Sequence, residues 1–345
     1  MSRFLDACFR RPVDKTPVWF MRQAGRYLPE YRAVRAKVGF LELCKTPDLA
    51  TEVTLQPVDL LGVDAAILFS DILVVCEAMG MQLILEDQGP QFPAPLRSRA
   101  DVDALHVPDP EAELGYVMAA IRSIRGALGG RVPLIGFCGA PWTLAAYMIE
   151  GKTSRSFEKA KAALMADDAL ADALLSKISE ALILYLNAQL AAGAQALQIF
   201  DSWGGALGPQ DYARLSAPYI ARVIAGLKRD AKNPQPVIVF GVETGELLGQ
   251  MARLGADVVG VDFRVPLDQA RARTGPGVAL QGNLDPASLF LPPAALERRV
   301  RRVLENAAAA GPGYVFNLGH GVLPGTPVEN VKAVVEQVHA YPVAR

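Results

Sequence analysis

Two arginines flank a glycine near the start of the chain, where Arg22 and Arg26 enclose Gly25 in the segment MRQAGR. A guanidinium is always charged and carries a rigid fork of donors that matches a carboxylate, so this pair suits an acidic ligand. Gly25 lets the backbone approach such a ligand closely. The alternatives are an ion pair with a nearby acid or a solvated basic face, because residues 1–40 hold nine Lys and Arg against three acidic residues.

A carboxylate follows the apolar run AAILFS at Asp71. An unpaired charge in such a poorly solvated place is costly, so a cation or an N–H group should face it. The alternative is an N-cap for a helix that starts at Ile72. Asp201 and Asp262 end similar apolar runs, and for them capping or ion pairing competes evenly with a functional role.

A histidine between two glycines follows the last apolar run, in the sequence Gly319-His320-Gly321. The two other histidines are less suggestive, since His106 lies in a proline-containing connection and His339 lies near the C-terminus. Flanking glycines expose an imidazole, which favours a functional role for His320 over a structural one.

The segment GFCGAPWTLAAYMIEG (136–151) combines a strand end with the start of a helix, because Pro141 suits the first helical position. Trp142 and Tyr147 then fall in one helical stretch. From these residues alone, core packing is the simpler interpretation for both aromatic side chains.

Short β-rich runs, each followed by a helix-length amphipathic stretch, predict a parallel sheet with crossover helices. Eight strands are predicted, at 17–21, 65–69, 132–138, 196–200, 236–241, 257–262, 278–282 and 314–318. Eight is the number that closes a (β/α)8 TIM barrel, whose active sites lie at the carboxyl ends of the strands. Gly62, Gly193 and Gly255 are predicted helix C-caps before strands. The competing fold, an open doubly wound sheet, needs a glycine-rich loop that is missing after the first strand.

Composition sets further bounds on the chain. With 345 residues, 51% hydrophobic residues and a mean hydropathy of +0.20, one large catalytic domain over 1–345 is expected. The net charge of −1 argues against nucleic-acid binding, and apolar runs are too short for a membrane span. Four widely spaced cysteines predict reduced thiols and no metal site, and the absence of a secretory pattern predicts a cytoplasmic protein.

Several of these segments together resemble the uroporphyrinogen decarboxylase family. PVWFMRQAGRYLPEYR (17–32) and GFCGAPWTLAAYMIEG (136–151) are similar to its two signatures. FSD at 69–71, QIFDSWGG at 198–205 and NLGHGVLPGTPVENV at 317–331 also match, so the similarity covers nearly the whole chain.

The resemblance implies a distorted TIM-barrel homodimer that works without a cofactor or metal. It implies removal of the four acetate carboxyls of uroporphyrinogen III, which gives coproporphyrinogen III in haem biosynthesis. Asp71, Arg22 and Tyr147 are the expected catalytic residues, with Asp71 near the pyrrole N–H groups. The residues that match the family's substrate-contacting positions are Arg22, Gln23, Ala24, Gly25, Arg26, Asp71, Tyr147, Ser202 and His320.

Two other functions remain open at this point. Zinc-dependent methyltransferases share the barrel architecture, but they need Cys and His ligands, and no paired cysteine or HxC motif stands at a strand end here. The second alternative is a tetrapyrrole-binding protein without turnover, against which the intact Arg22, Asp71 and Tyr147 argue. The group that donates the proton to the ring also stays open between Arg22, His320 and bound water.

Overall fold

The computed structural model describes residues 2–86 and 89–343. The predicted domain of residues 1–345 thus includes residues 1, 87, 88, 344 and 345, which lie outside the described residues. Within the described part, the buried apolar side chains form one continuous core.

The strands are short, with two to six residues each. They are β1 (Ala66–Ile67), β2 (Ile84–Glu86), β3 (Gly89–Gln91), β4 (Leu134–Gly139), β5 (Ala196–Asp201), β6 (Val237–Gly241), β7 (Val258–Gly260), β8 (Ala279–Leu284) and β9 (Tyr314–Leu318). Seven of them form one parallel sheet in the order β1, β4, β5, β6, β7, β8, β9, while β2 and β3 form an antiparallel hairpin. Parallel neighbours are matched in register, so that Phe200 lies opposite Phe240.

The closing segment, residues 17–21 between the first two helices, closes the barrel. Val18 forms a parallel bridge with Phe316, and the Phe316 N–H donates to the Pro17 carbonyl over 2.8 Å. On the other side, the Asp64 N–H donates to the Val18 carbonyl over 2.7 Å, just before β1. The predicted strand 17–21 therefore survives only as one bridge, yet it lies between β9 and β1 as an eighth strand must.

Helices surround the sheet and fill the connections. They are α1 (Arg3–Cys8), α2 (Pro29–Arg35), α3 (Phe40–Lys45), α4 (Pro47–Leu61), α5 (Val74–Ala78), α6 (Arg99–Ala104), α7 (Pro110–Glu113), α8 (Gly115–Leu128), α9 (Pro141–Glu150), α10 (Glu158–Ala166), α11 (Asp168–Ala192), α12 (Pro209–Leu215), α13 (Ala217–Ala225), α14 (Leu248–Met251), α15 (Leu267–Thr274), α16 (Pro293–Ala310) and α17 (Val328–Ala340). Short 3₁₀ turns occur at Gly204–Ala206, Gly245–Leu247 and Pro286–Phe290.

The local sequence accounts for where several helices begin and end. α9 begins at Pro141, as predicted, because proline has the φ of a helix and lacks only an N–H that the first turn leaves unbonded. Gly62 and Gly193 end α4 and α11 in the left-handed region, with φ of 69° and 117°. Gly255 has φ of 90°, but α14 has already ended at Met251, so the third predicted cap is a turn glycine instead.

The N-terminal end of the barrel is held by the buried carboxylate of Asp64. Its Oδ2 accepts the Val18 N–H at 2.8 Å and lies 2.7 Å from His339 Nε2, while Oδ1 accepts from Arg3 at 2.7 Å. This one side chain therefore joins α1, the closing segment and α17.

Cys8, Cys44, Cys76 and Cys138 are all buried free thiols. None of the helices in the described ranges combines the length and the apolar character that crossing a membrane requires.

Candidate active site

A cavity of about 480 Å³ opens at the carboxyl ends of the strands. It is lined by the loop after the closing segment, by the residues that follow β1, β5 and β9, and by one side chain of α9. All nine residues predicted for the site border it, namely Arg22, Gln23, Ala24, Gly25, Arg26, Asp71, Tyr147, Ser202 and His320. Folding thus brings together residues from five separate parts of the sequence.

The loop that carries the arginines is held tightly at its base. The Gln23 N–H donates to the Phe20 carbonyl at 3.0 Å, and the Val322 N–H donates to the Met21 carbonyl at 2.9 Å. The buried Gln23 amide accepts the Phe20 N–H and donates to the Ala65 carbonyl, each over 3.1 Å. Although it borders the cavity, the Gln23 side chain is therefore used to fix the loop.

Arg22 adopts a left-handed backbone conformation, with φ of 59°, which is unfavourable for a residue with a side chain. The loop has little room to relax, because a Cβ on Gly25 would lie 3.0 Å from the Arg22 carbonyl oxygen. Strain of this kind persists where the surrounding structure enforces it, and it is common at ligand sites. The backbone conformation thus presents Arg22 at the cavity mouth.

The guanidinium groups of Arg22 and Arg26 are exposed, and neither has an acidic partner among the residues the structure describes. Gly321 provides the space for the first of them, since a Cβ there would lie 2.4 Å from Arg22 Cδ. The ion-pair alternative for these arginines has no support in the described ranges, and both can receive an anionic ligand.

Asp71 lies four residues after the end of β1, and one of its carboxylate oxygens is bonded to the backbone, because Oδ1 accepts the Leu73 N–H at 2.8 Å. The helix begins at Val74 rather than at Ile72, so this bond forms a local turn and not the expected N-cap. Burial raises the pKa of Asp71, which the Leu73 N–H and the Arg22 charge oppose. No other donor reaches the carboxylate in the described part of the chain.

Tyr147 enters the cavity from α9 and is buried against two aromatic rings. Its ring lies edge-on to Phe157 at 6.1 Å and to Trp203 at 5.9 Å between centroids. Burial raises the pKa of the Tyr147 hydroxyl, which therefore stays protonated and can donate a hydrogen bond. Trp142, in contrast, is fully buried in the core, as the simpler interpretation of that segment predicted.

His320 follows β9 and is presented as a neutral donor. Its Nδ1 accepts the Gly321 N–H at 2.8 Å, which leaves the hydrogen on Nε2. Burial lowers the pKa of His320, and the positive charges of Arg22 and Arg264 lower it further. Ser202 borders the cavity from the loop after β5. Both side chains can donate to a carboxylate without adding charge.

Phenylalanines that were not predicted as site residues form part of the cavity wall. Phe137, Phe200 and Phe240 come from neighbouring strands and meet edge to face, with centroids 5.6 and 6.2 Å apart. The signal was present in the sequence, because each of these residues stands just before the end of its strand. Together they offer an apolar surface to a flat or curved ring system.

The two ambiguous aspartates bond to other parts of the protein, and neither borders the cavity. Asp201 accepts from Thr143 at 2.8 Å and from Ser216 at 2.7 Å, although burial raises its pKa to about 6. Asp262 accepts from the backbone and side chain of Arg264. Asp201 therefore joins α9 to the residue between α12 and α13, and Asp262 forms an ion pair with Arg264.

The other two histidines do not border the cavity. His106 lies 2.8 Å from Glu113 on the surface, and His339 faces Asp64 at the opposite end of the barrel. Across residues 2–86 and 89–343, no group of three or more His, Cys, Asp and Glu side chains has the arrangement of a metal site.

Nearly the whole chain matches known proteins. The sequence model of the family described as uroporphyrinogen decarboxylase (URO-D) matches residues 1–341. A uroporphyrinogen decarboxylase of Trichlorobacter lovleyi is 54% identical over 338 residues, which cover 98% of each chain. One of Myxococcus xanthus is 54% identical over 344 residues, covering 99% of this chain and 97% of its own.

Solved structures extend the similarity to the architecture. A methyltransferase from Methanosarcina mazei superposes with a TM-score of 0.80 at 24% identity, covering 97% of each chain. A B12-independent methionine synthase from Shewanella sp. W3-18-1 gives a TM-score of 0.56 at 14% identity, covering 87% of this chain and 89% of its own. At such low identity these similarities concern the fold alone, which is a barrel of the TIM type.

Proposed function

The chain belongs to the uroporphyrinogen decarboxylase family and is a carboxy-lyase, and on that basis we propose that the cavity at the mouth of its barrel is the active site. There it converts uroporphyrinogen III to coproporphyrinogen III and CO2. The observation that carries this assignment is the convergence of all nine predicted residues on one cavity, where two arginines and an aspartate have few or no side-chain partners within the described ranges.

Asp71 serves the ring of the substrate rather than its acid groups. A tetrapyrrole at this cavity presents pyrrole N–H donors, and Asp71 has an oxygen that accepts from no protein group in the described ranges. Its carboxylate accepts these N–H groups and stabilises positive charge that develops on the ring. A fixed charge in a poorly solvated site stabilises such a transition state strongly. This role requires the ionised form, which Arg22 favours.

Arg22 and Arg26 bind the acetate and propionate carboxylates that surround the ring. Both guanidinium groups are exposed at the mouth, and a bidentate contact with a carboxylate is their preferred interaction. Arg22 also stands close enough to lower the pKa of both Asp71 and His320. Its charge therefore holds the site in the state in which the aspartate is ionised and the histidine neutral.

Tyr147, Ser202 and His320 complete the binding of the acid groups with uncharged donors. Tyr147 donates near the acetate that reacts, and Ser202 and the His320 Nε2–H donate to other carboxylates. A neutral imidazole with its hydrogen already on Nε2 suits hydrogen bonding better than acid catalysis. This leaves Arg22 or a bound water as the source of the proton. Gln23, Ala24 and Gly25 shape the loop against the substrate.

The reaction itself proceeds on the ring of the substrate. Protonation of a pyrrole carbon beside the acetate-bearing position makes that ring a cation that accepts an electron pair. The bond between the acetate methylene and its carboxylate then breaks, CO2 leaves, and the electron pair moves into the ring. Protonation of the methylene carbon and loss of the added ring proton give the methyl group, so no separate electron sink is needed and we propose no cofactor.

Further parts of the proposal concern the assembly and setting of the protein. We propose that residues 1–345 act as one catalytic domain, that two copies form a homodimer, and that the protein works in the cytoplasm. The single core and the resemblance to the family support the first two, and four free thiols suit a reducing compartment. Sedimentation of the purified protein at micromolar concentration distinguishes a dimer from a monomer.

The decisive test is an anaerobic incubation with uroporphyrinogen III, followed by chromatography of the products. We expect partly decarboxylated intermediates and then coproporphyrinogen III. With the Asp71→Asn variant, both the intermediates and coproporphyrinogen III should form more slowly than with the wild-type protein. If the wild-type protein yields no decarboxylated product, the assignment of this chemistry to the cavity is wrong.

A further inference from the structure

Trp203 is held rigidly in the cavity wall next to Tyr147. Its backbone N–H donates to the Thr143 hydroxyl at 3.2 Å, and its carbonyl accepts the indole N–H of Trp142 at 2.9 Å. Its own ring packs on Phe157 with centroids 4.6 Å apart and on Tyr147 at 5.9 Å. The position of this indole is therefore fixed from the backbone and from both aromatic neighbours.

The Nε1 atom of this indole is buried and has no hydrogen-bond partner within the residues that the structure describes. A buried donor without an acceptor lowers stability, so such groups generally have a use. Tyr147, whose ring lies 5.9 Å from this indole between centroids and borders the same cavity, carries the hydroxyl that is the candidate acceptor for it. Burial raises the pKa of Tyr147, whereas the Trp203 N–H and the Thr153 hydroxyl lower it, as nearby donors do.

The chemistry of the two neighbouring donors differs in one respect. An indole N–H can only donate, whereas a threonine hydroxyl can donate or accept and so imposes no direction. An oxygen of Tyr147 that accepts from Trp203 must direct its single hydrogen elsewhere. The cavity, which Asp71 and Arg22 also border, is where that hydrogen can reach a ligand.

We propose that Trp203 is a positioning residue that fixes the direction of the Tyr147 hydrogen bond, so that this hydroxyl donates to a carboxylate of the substrate. The inference rests on the proposed function of Tyr147. The Nε1–H accordingly completes its own hydrogen bond when a bound carboxylate takes the Tyr147 hydrogen and leaves a lone pair of the phenol oxygen facing the indole.

The test compares Trp203→Phe with Trp203→His in steady-state decarboxylation. Phenylalanine keeps an apolar ring but removes the N–H, and we expect kcat/KM to fall roughly fivefold, as for one neutral hydrogen bond. Histidine retains a ring N–H and should keep more activity than phenylalanine. Thr153→Val, which removes the other hydroxyl near Tyr147, serves as the control and should change kcat/KM less than twofold. If packing were the only role of Trp203, the smaller and more polar histidine would be the worse substitution.

The same substitutions in a Tyr147→Phe background separate this inference from the function on which it rests. We expect Trp203→Phe to have no further effect once the phenol oxygen is gone. An equal loss in both backgrounds, or a Trp203→His variant less active than Trp203→Phe, overturns the inference. If Tyr147→Phe alone leaves kcat/KM unchanged, the role proposed for Tyr147 is wrong. If Tyr147→Phe impairs turnover and Trp203→Phe does not, only the role of Trp203 is wrong. Thermal unfolding of each variant identifies losses that come from misfolding.

Discussion

Two aspartates stand on either side of β1, and their surroundings differ. Asp64, before the strand, accepts from Arg3 and from the Val18 N–H and lies against His339. Asp71, after the strand, accepts a single backbone N–H in the described structure. The same residue type therefore joins chain segments at the closed end of the barrel and leaves an oxygen free at its open end. This is the division expected of a barrel, in which one end provides stability and the other holds the reaction site.

Arg3 and Arg22 differ in the same way as the two aspartates. Arg3 forms ion pairs with both Asp14 and Asp64, over 2.8 and 2.7 Å. Arg22 has no such partner in the described ranges, and its backbone is strained, with φ of 59°. Charged groups that maintain the fold are bonded to other protein groups. Charged groups at the mouth are held in place by the backbone and keep donors or acceptors that can bind a ligand.

The largest expected effect is on turnover, in the Asp71→Asn variant. Asparagine keeps the shape of the side chain but removes the charge that faces the ring, so kcat should fall roughly 100- to 1000-fold. Binding of the product should weaken much less, and thermal stability should stay near that of the wild type. Steady-state kinetics and a melting curve on the same preparation check both statements. Turnover near the wild-type rate would contradict the role of Asp71.

The corresponding variant at the other end of β1, Asp64→Asn, should lower stability rather than turnover. Removing this buried charge leaves Arg3 without its inner partner, and the free energy of unfolding should fall by about 3 kcal/mol. Denaturant titration measures this loss, while kcat of the folded protein stays within a factor of about two. A large loss of kcat at unchanged stability would abolish the distinction between the two ends of the barrel.

Arg22→Lys should weaken substrate binding. Lysine retains the charge but loses the forked contact with a carboxylate, so KM should rise roughly tenfold with a smaller change in kcat. Arg301→Lys on the outer face of α16 is the matched control and should leave KM unchanged, because Arg301 pairs there with Glu297. An unchanged KM in Arg22→Lys would indicate that Arg22 does not bind a carboxylate of the substrate.

The dependence of kcat/KM on pH should reflect the ionisation of the Asp71 carboxyl group. Because burial raises its pKa above the ordinary value of 3.8, activity should be full at higher pH and fall as the pH drops through the raised pKa. Arg22 lowers this pKa, so Arg22→Met should move the acidic limb to higher pH. A limb that arises from the carboxylates of the free substrate would stay where it is.

The smallest expected effect belongs to Gly321→Ala. The new methyl group would lie 2.4 Å from Arg22 Cδ and must displace that side chain, so kcat/KM should fall roughly fivefold. Gly208→Ala is a suitable control, because a Cβ there meets nothing within 4 Å. Equal kcat/KM values for the two alanine variants would show that the Arg22 side chain can be displaced without loss of activity.

The sequence predicted the sheet strands well, because hydrophobic runs of strand length report burial on both faces. The runs at 196–200 and 314–318 agree with β5 and β9 to within one residue at either end. The segment at 17–21 is a different case. Its hydrogen bonds depend on Phe316 and on Asp64, which are distant in sequence, and no local pattern reports such pairing. The hairpin of β2 and β3 was missed for another reason: its pairing is local, but strands of three residues are too short to show a hydrophobic pattern.

The site residues were predicted as a set, but their individual duties required the structure. A motif cannot reveal that the Gln23 amide is bonded to the backbone of Phe20 and Ala65, since one partner is distant in the chain. It also cannot reveal that Asp201 faces Thr143 and Ser216 while Asp71 faces the cavity, although both aspartates end apolar runs. The direction of a side chain at a strand end is set by tertiary packing.

The most direct test of the contrast between Asp64 and Asp71 is a crystal structure with coproporphyrinogen III bound under anaerobic conditions. We predict that the ring lies in the mouth cavity, that Asp71 accepts pyrrole N–H groups within about 3.2 Å, and that Asp64 keeps its contacts with Arg3 and His339. A product bound outside this cavity, or an Asp71 that faces only protein groups in the complex, would contradict the account.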